Sequence, residues 1–140
     1  MILRDGRKVA SVRLDGDRAV ARARKKVSDI MQDMGARPSM QTRFVTAVSE
    51  IARNAVVHGG GGMLDVFRFA GDRMIGVAVT DMGPGIEDLD EAFTDGFTTL
   101  SGSMGRGLGG ARRLARQIEV DSILGKGTTV RLVGQTQLRP

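Results

Sequence analysis

The chain has 140 residues, no cysteine, a single histidine (His58) and a net charge of +5. That length supports one domain with a core that needs no staples. The missing thiols exclude a disulfide framework and a thiolate metal site, and one histidine excludes a multi-histidine cluster. No apolar run approaches the length of a bilayer span, and Met1 to Lys8 lacks the apolar core of a signal peptide. We therefore expect one domain over residues 1–140, cytoplasmic and off the membrane. Arginine supplies most of the positive charge, which reads as an ordinary solvated surface. With no Trp or Tyr, and five Phe not interleaved with basic residues, no stacking platform for nucleic acid is expected.

In chain order, Lys8 to Leu14 reads as a short strand. From Gly16 to Met34, Ala19, Ala23, Val27, Ile30, Met31 and Met34 recur at helical spacing. Gly35 fits a C-cap. Pro38 and Ser39 open a second helix, whose buried face carries Met40, Phe44, Val48, Ile51 and Ala55 and which ends at Gly59 to Gly62. Met63 to Phe69 and Met74 to Thr80 read as a hairpin across the turn Ala70-Gly71-Asp72-Arg73. A short helix is expected over Glu87 to Phe93, and a Gly/Ser/Thr-rich loop over Asp95 to Arg106. A third main helix spans Leu108 to Gln117. Ile118 to Leu124 and Thr128 to Val133 are strands across Gly125-Lys126-Gly127. The sum is an α/β two-layer sandwich, a mixed and mostly antiparallel sheet with helices on one face.

Three clusters carry chemistry. Glu50 and Asn54 lie four residues apart on a helix and share a side, with Thr46 one turn earlier. An amide oxygen there suits magnesium, which keeps several waters, and a carboxylate one turn away can accept a hydroxyl proton. Taken alone, the pair reads as a solvated helix face. Asp81 follows an apolar strand, with Gly83 and Gly85 behind it. A carboxylate can accept from the amine of adenine while the glycines make room for the ring; alone, the stretch also reads as a plain turn. Gly105, Gly107, Gly109 and Gly110 precede or open a helix, where bare N–H groups bind phosphate and Arg106 can add charge. Alone, they also fit a flexible loop or a tight helix–sheet contact.

In this order the three clusters resemble the N box and the two glycine boxes of the GHKL (Bergerat-fold) ATPase and kinase superfamily. Glu50 and Asn54 match E-x-x-x-N, continued by Ala55-Val56-Val57-His58-Gly59. Asp81, Gly83 and Gly85 match D-x-G-x-G, and Gly105, Gly107 and Gly109 match G-x-G-x-G. Gly127-Thr128-Thr129 matches the G-T pair that closes the adenine site. The length, and the absence of a phospho-acceptor helical domain, narrow the resemblance to the small serine/threonine kinases of bacterial partner switching. Asp95-Gly96-Phe97-Thr98-Thr99 and Gly107-Leu108-Gly109-Gly110-Ala111-Arg112-Arg113-Leu114 look most like the RsbT branch of stressosome-associated switch kinases, beside the RsbW and SpoIIAB anti-sigma branch.

The resemblance implies ATP and Mg2+ as cofactors and Glu50 as catalytic base. Asn54 would hold the metal, with Glu50 reaching it through water. Asp81, Gly83, Gly85, Gly105, Arg106, Gly107, Leu108, Gly109, Thr128 and Thr129, with Asn54, would bind ATP under a lid from about Glu87 to Met104. The implied substrate is a STAS-domain antagonist or stressosome-type protein, and further partners are a PP2C-type phosphatase or a sigma factor. The alternative is a nucleotide-gated binding module, an anti-sigma factor or phosphatase activator with little kinase activity. His58 either contacts a phosphate or lid residue or ends the helix beside the site. Thr98, Thr99, Ser101 and Ser103 read as lid polarity, and the eight Met residues as core fillers.

Overall fold

A computed structural model describes residues 1–83 and 104–137. The expected helix over 87–93, the lid, Gly85, and Thr98, Thr99, Ser101 and Ser103 lie outside the described residues. Strand β1 (Arg7–Leu14) is followed by helices α1 (Asp17–Asp33) and α2 (Pro38–Val57). Strands β2 (Gly62–Arg68) and β3 (Met74–Asp81) come next, then α3 (Met104–Leu114), β4 (Gln117–Ile123) and β5 (Gly127–Gln135). The sheet order is β1-β2-β3-β5-β4. Each neighbouring pair is antiparallel, so the described sheet has no parallel pair. The central strand β3 continues the hairpin from β2 and pairs on its other side with β5.

On α1, Ala19, Ala23, Val27 and Met31 are fully buried, one per turn along a single stripe. The helix stops in a Schellman motif: Ala36 N–H bonds Met31 O at 2.9 Å and Gly35 N–H bonds Gln32 O at 3.0 Å. Gly35 takes φ 77°, which a side chain would resist. Helix α2 starts with Pro38 at a position whose N–H has no helical partner anyway. It lies in the middle of the helical layer, against α1, α3 and four of the five strands. Its buried face is Phe44, Ala47, Val48, Ile51, Ala52 and Ala55; Met40, expected there, is only half-buried. Phe44 lies flat on β5, since a Cβ on Gly134 would meet its ring at 2.3 Å. Burying that ring contributes about 1.5–3 kcal/mol.

Helix α3 begins at Met104 and ends at Leu114, earlier at both ends than the expected Leu108 to Gln117. Its glycines disfavour helix, but Leu108 and Ala111 are buried in the common core, and that packing outweighs propensity. At the other end Arg116 N–H bonds Val133 O at 2.8 Å, which draws the chain into the sheet and makes Gln117 the first residue of β4. The opposite face of the sheet carries a different closure. Leu3, 1% exposed, sits where a Cβ on Gly76 would be, 2.4 Å away, beside the Phe69 ring.

Candidate nucleotide site

Helix α2 and the C-terminal end of β3 converge where both elements stop. Between them lies a cleft lined by Ile51, Asn54 and Ala55 of α2, Val79 and Asp81 of β3, Leu108 of α3, and Thr128 and Val130 of β5. The lining is apolar on two sides, with an amide, a carboxylate and a hydroxyl converging on it. That is the usual composition of a small-molecule pocket.

Asp81 is the best-defined group. It is 9% exposed, and its Oδ1 accepts Gly83 N–H at 2.9 Å. Burial pushes its carboxyl above the usual carboxylate range, while the backbone N–H groups of Gly83 and Thr128 pull the other way. Desolvation disfavours the charge and the two donors favour it. The carboxylate is walled in by backbone. A Cβ on Gly59 would lie 2.4 Å from its Cγ, and one on Gly127 would lie 2.2 Å from its carbonyl oxygen. A Cβ on Gly83 would lie 2.5 Å from the Cα of Gly59. In the sequence Gly59 stands at the helix end and in the continuation of the N box. Its packing against a residue 22 positions away leaves no local signal.

Asn54 is 8% exposed and faces Asp81 across the cleft. Glu50, one turn earlier, is more open, with its side chain 39% exposed and Arg53 Nη1 at 4.0 Å. Thr46, on the same side, is exposed and returns its hydroxyl to Thr42 O at 2.8 Å. Among the described residues no cluster of three or more His, Cys, Asp or Glu could hold a metal. A protein-only cage is therefore missing there. A buried carboxamide with a carboxylate one turn away still fits magnesium, which is bound through one or two protein groups and completes its shell with water and phosphate oxygens.

The strand pairing separates the two threonines. Asp81 pairs with Thr128 and Thr80 with Thr129, and successive side chains alternate faces. Thr128 is buried in the cleft wall, its Oγ1 3.0 Å from Ser122 Oγ. Thr129 projects from the opposite face and donates to Thr80 Oγ1 at 3.4 Å. Thr129, expected among the ATP-binding residues, has its backbone on the cleft strand and its side chain on the other face. The inward residues Val130 and Leu132 already implied this alternation in the sequence.

Leu108 lines the cleft and Gly109 is buried. Gly105, Arg106 and Gly107 lie in the first turn of α3, where backbone N–H groups lack helical acceptors. Glycines at that end fit a phosphate contact. His58 caps α2, its N–H bonding Asn54 O at 2.8 Å. Its Nε2 is buried without a hydrogen-bond partner among the described residues, and burial lowers its pKa. Of its two sequence readings, ending the helix beside the site is the one that this geometry fits.

Residues 15–133 match the family described as "Histidine kinase-like ATPase domain". The chain is 32% identical over 124 residues to the serine/threonine-protein kinase RsbT of Bacillus subtilis (strain 168), covering 87% of this chain and 92% of that one. It is 36% identical over 92 residues to an anti-sigma F factor of Thermoanaerobacter sp. (strain X514), covering 62% of this chain and 64% of that protein. An anti-sigma F factor of Geobacillus stearothermophilus is 33% identical over 97 residues, 65% of this chain and 66% of that protein. No described helix is long and apolar enough to cross a membrane.

Proposed function

The chain belongs to the histidine kinase-like ATPase domain family, and from that premise we propose that it is an ATP- and magnesium-dependent protein serine/threonine kinase. Its substrate would be a STAS-domain antagonist in a bacterial partner-switching pathway, in the cytoplasm. The observation that carries this reading is a buried carboxylate, Asp81, facing a buried amide, Asn54, across an apolar cleft, with Glu50 one turn outward. RsbT, with which the chain aligns over 92% of that protein, supports the kinase assignment.

Asp81 accepts the exocyclic amine of adenine, and Ile51, Ala55, Val79 and Val130 sandwich the ring. The triphosphate leaves the cleft toward the N-terminus of α3. Asn54 would hold a magnesium ion through its amide oxygen, and the ion would neutralise phosphate charge. Glu50 takes the proton of the substrate serine or threonine hydroxyl as that oxygen forms its bond to the γ-phosphorus and the bond to ADP breaks. Such transfer depends mainly on positioning and charge stabilisation, so these few groups suffice chemically. The partial exposure of Glu50 matches this part, since a protein substrate must reach it from solvent.

The test is incubation with ATP, magnesium and the cognate STAS protein, read by phosphopeptide mass spectrometry, beside Glu50→Gln. Phosphoserine or phosphothreonine that the variant fails to form is the expected result; equal yields from both proteins would overturn the assignment. A second reading has the anti-sigma F factor relatives behind it: a nucleotide-gated module that exchanges a sigma factor or a phosphatase and transfers phosphate slowly. It predicts partner capture that changes with ATP, and nucleotide-independent capture would remove it.

A further inference from the structure

Helix α3 forms one wall of the cleft but is poorly equipped to hold itself in place. Four of its eleven residues are glycine, which weakens a helix, and it packs on α2 more than on the sheet. Leu108 stands with Asn54 in the cleft, while the far end of α3 meets Arg43, near the start of α2. Arg43 Nε donates to Leu114 O at 3.2 Å, and its Nη2 donates to Arg113 O at 3.0 Å. The two helices therefore run antiparallel. Arg43, Ala47, Glu50 and Asn54 follow one another at spacings of four, three and four residues, which puts them along one side of α2. From this geometry, and resting on the nucleotide site proposed above, we infer that Arg43 is a positioning residue for the nucleotide. It latches the C-terminal end of α3 to α2, and so keeps Leu108 and the N-terminal N–H groups of α3 at the cleft.

The last carbonyls of a helix have no helical N–H to accept, and they form the negative end of its dipole. A guanidinium suits both, because two N–H groups of one planar fork reach two adjacent carbonyls. Arg112 and Arg113 bring charge to the same turn, but they move with the helix. Arg43 belongs to another element, so its bonds fix where α3 lies. Arg116 N–H, bonded to Val133 O at 2.8 Å, fixes the entry to β4 rather than the helix itself. A ligand that needs α3 in place binds only the molecules in which it is seated, and the apparent affinity scales with that fraction. Arg43 raises the fraction from about 16 Å along α2 from Asn54, without touching the ligand.

The test is hydrogen exchange of the unliganded protein and calorimetric titration of ADP, both well below the melting temperature, for wild type, Arg43→Met and Arg43→Lys. Methionine keeps an apolar stem beside Met40 and Phe44 and removes the donors. Lysine keeps the charge and loses the fork. In Arg43→Met, protection of the α3 amides is expected to fall on the order of three- to tenfold, as one ordinary hydrogen bond implies, with the β3 amides unchanged. The Kd for ADP is expected to rise about threefold or more, and lysine falls between. Loosened α3 amides with an unchanged Kd would make Arg43 a structural cap alone. Protection lost equally from α3 and β3 would make it a contributor to global stability. Either result, or no change at all, overturns the inference; the lysine variant carries the same comparison should methionine not fold. Wild type that binds no ADP refutes the nucleotide site itself, and the positioning role falls with it.

Discussion

Replacing Gly59 by alanine probes the cleft without replacing any group that would contact ligand. Gly59 has no positive φ, so the substitution adds no backbone strain. The new Cβ would stand 2.4 Å from Asp81 Cγ, 2.6 Å from its Cβ and 2.8 Å from its Oδ1, against about 3.5–4.0 Å for relaxed carbon contacts. The backbone of Asp81 is paired to Gly62 on one side and Thr128 on the other, so the side chain must yield, by roughly 1 Å on the same scale. That displacement breaks the 2.9 Å bond from Gly83 and misaims the carboxylate. Losing one hydrogen bond to a charged group, about 1.5–3 kcal/mol, weakens ADP about 10- to 150-fold. Overpacking costs about 1–3 kcal/mol of stability in addition. Gly60→Ala is the control. Gly60 has φ 72° with open space around a Cβ, so it should lose about 1–2 kcal/mol of stability and keep its ADP affinity. Thermal melts with calorimetric titration separate the two effects. Gly59→Ala that binds ADP within about twofold of wild type would refute the account of how Asp81 is held.

Three further outcomes follow from the same geometry. The pKa of Asp81 is raised on folding, so the native state binds more protons than the unfolded one, and stability falls as pH rises from the unfolded value of 3.8 through the folded one. Asp81→Asn should therefore flatten that part of the melting-temperature profile while abolishing ADP stabilisation; profiles that stay parallel from pH 3 to 7, roughly the range spanned by carboxylate titration, would contradict it. Glu50→Gln should slow phosphoryl transfer on the order of 10²–10⁴-fold with ADP affinity unchanged, as read by single-turnover assay and titration. Phe44→Ala should cost about 3–5 kcal/mol in urea unfolding, because the ring rests on Gly134 and leaves a cavity that a glycine cannot fill.

The helical stripe of α1, the β2–β3 hairpin and the C-cap at Gly35 were legible because each rests on local spacing. Asp81 and Asn54 were legible as types with a spacing, and the fold brings them to one cleft. What could not be read depends on register or on distant contact. Thr128 and Thr129 divide between faces according to the pairing of β5 with β3. Gly59 matters through Asp81, and Gly134 through Phe44. Leu3 closes the back of the sheet above Gly76, a contact that spans most of the first half of the chain. The start of α3 went wrong because four glycines argue against a helix, and only the burial of Leu108 and Ala111 reverses that.

The two walls of the cleft are unequal in how they are anchored. Asp81 ends the central strand, with a ladder on each side. Leu108 belongs to a glycine-rich helix that rests on α2 and touches the sheet mainly at β4. Amide exchange should therefore divide the pocket, with the β3 amides opening only in global unfolding and those of α3 opening locally at lower free energy. A ligand spanning both walls would stabilise the loosely held one most. The protein would then report its ligand state through the protection of α3, while the strand that carries Asp81 stays unchanged.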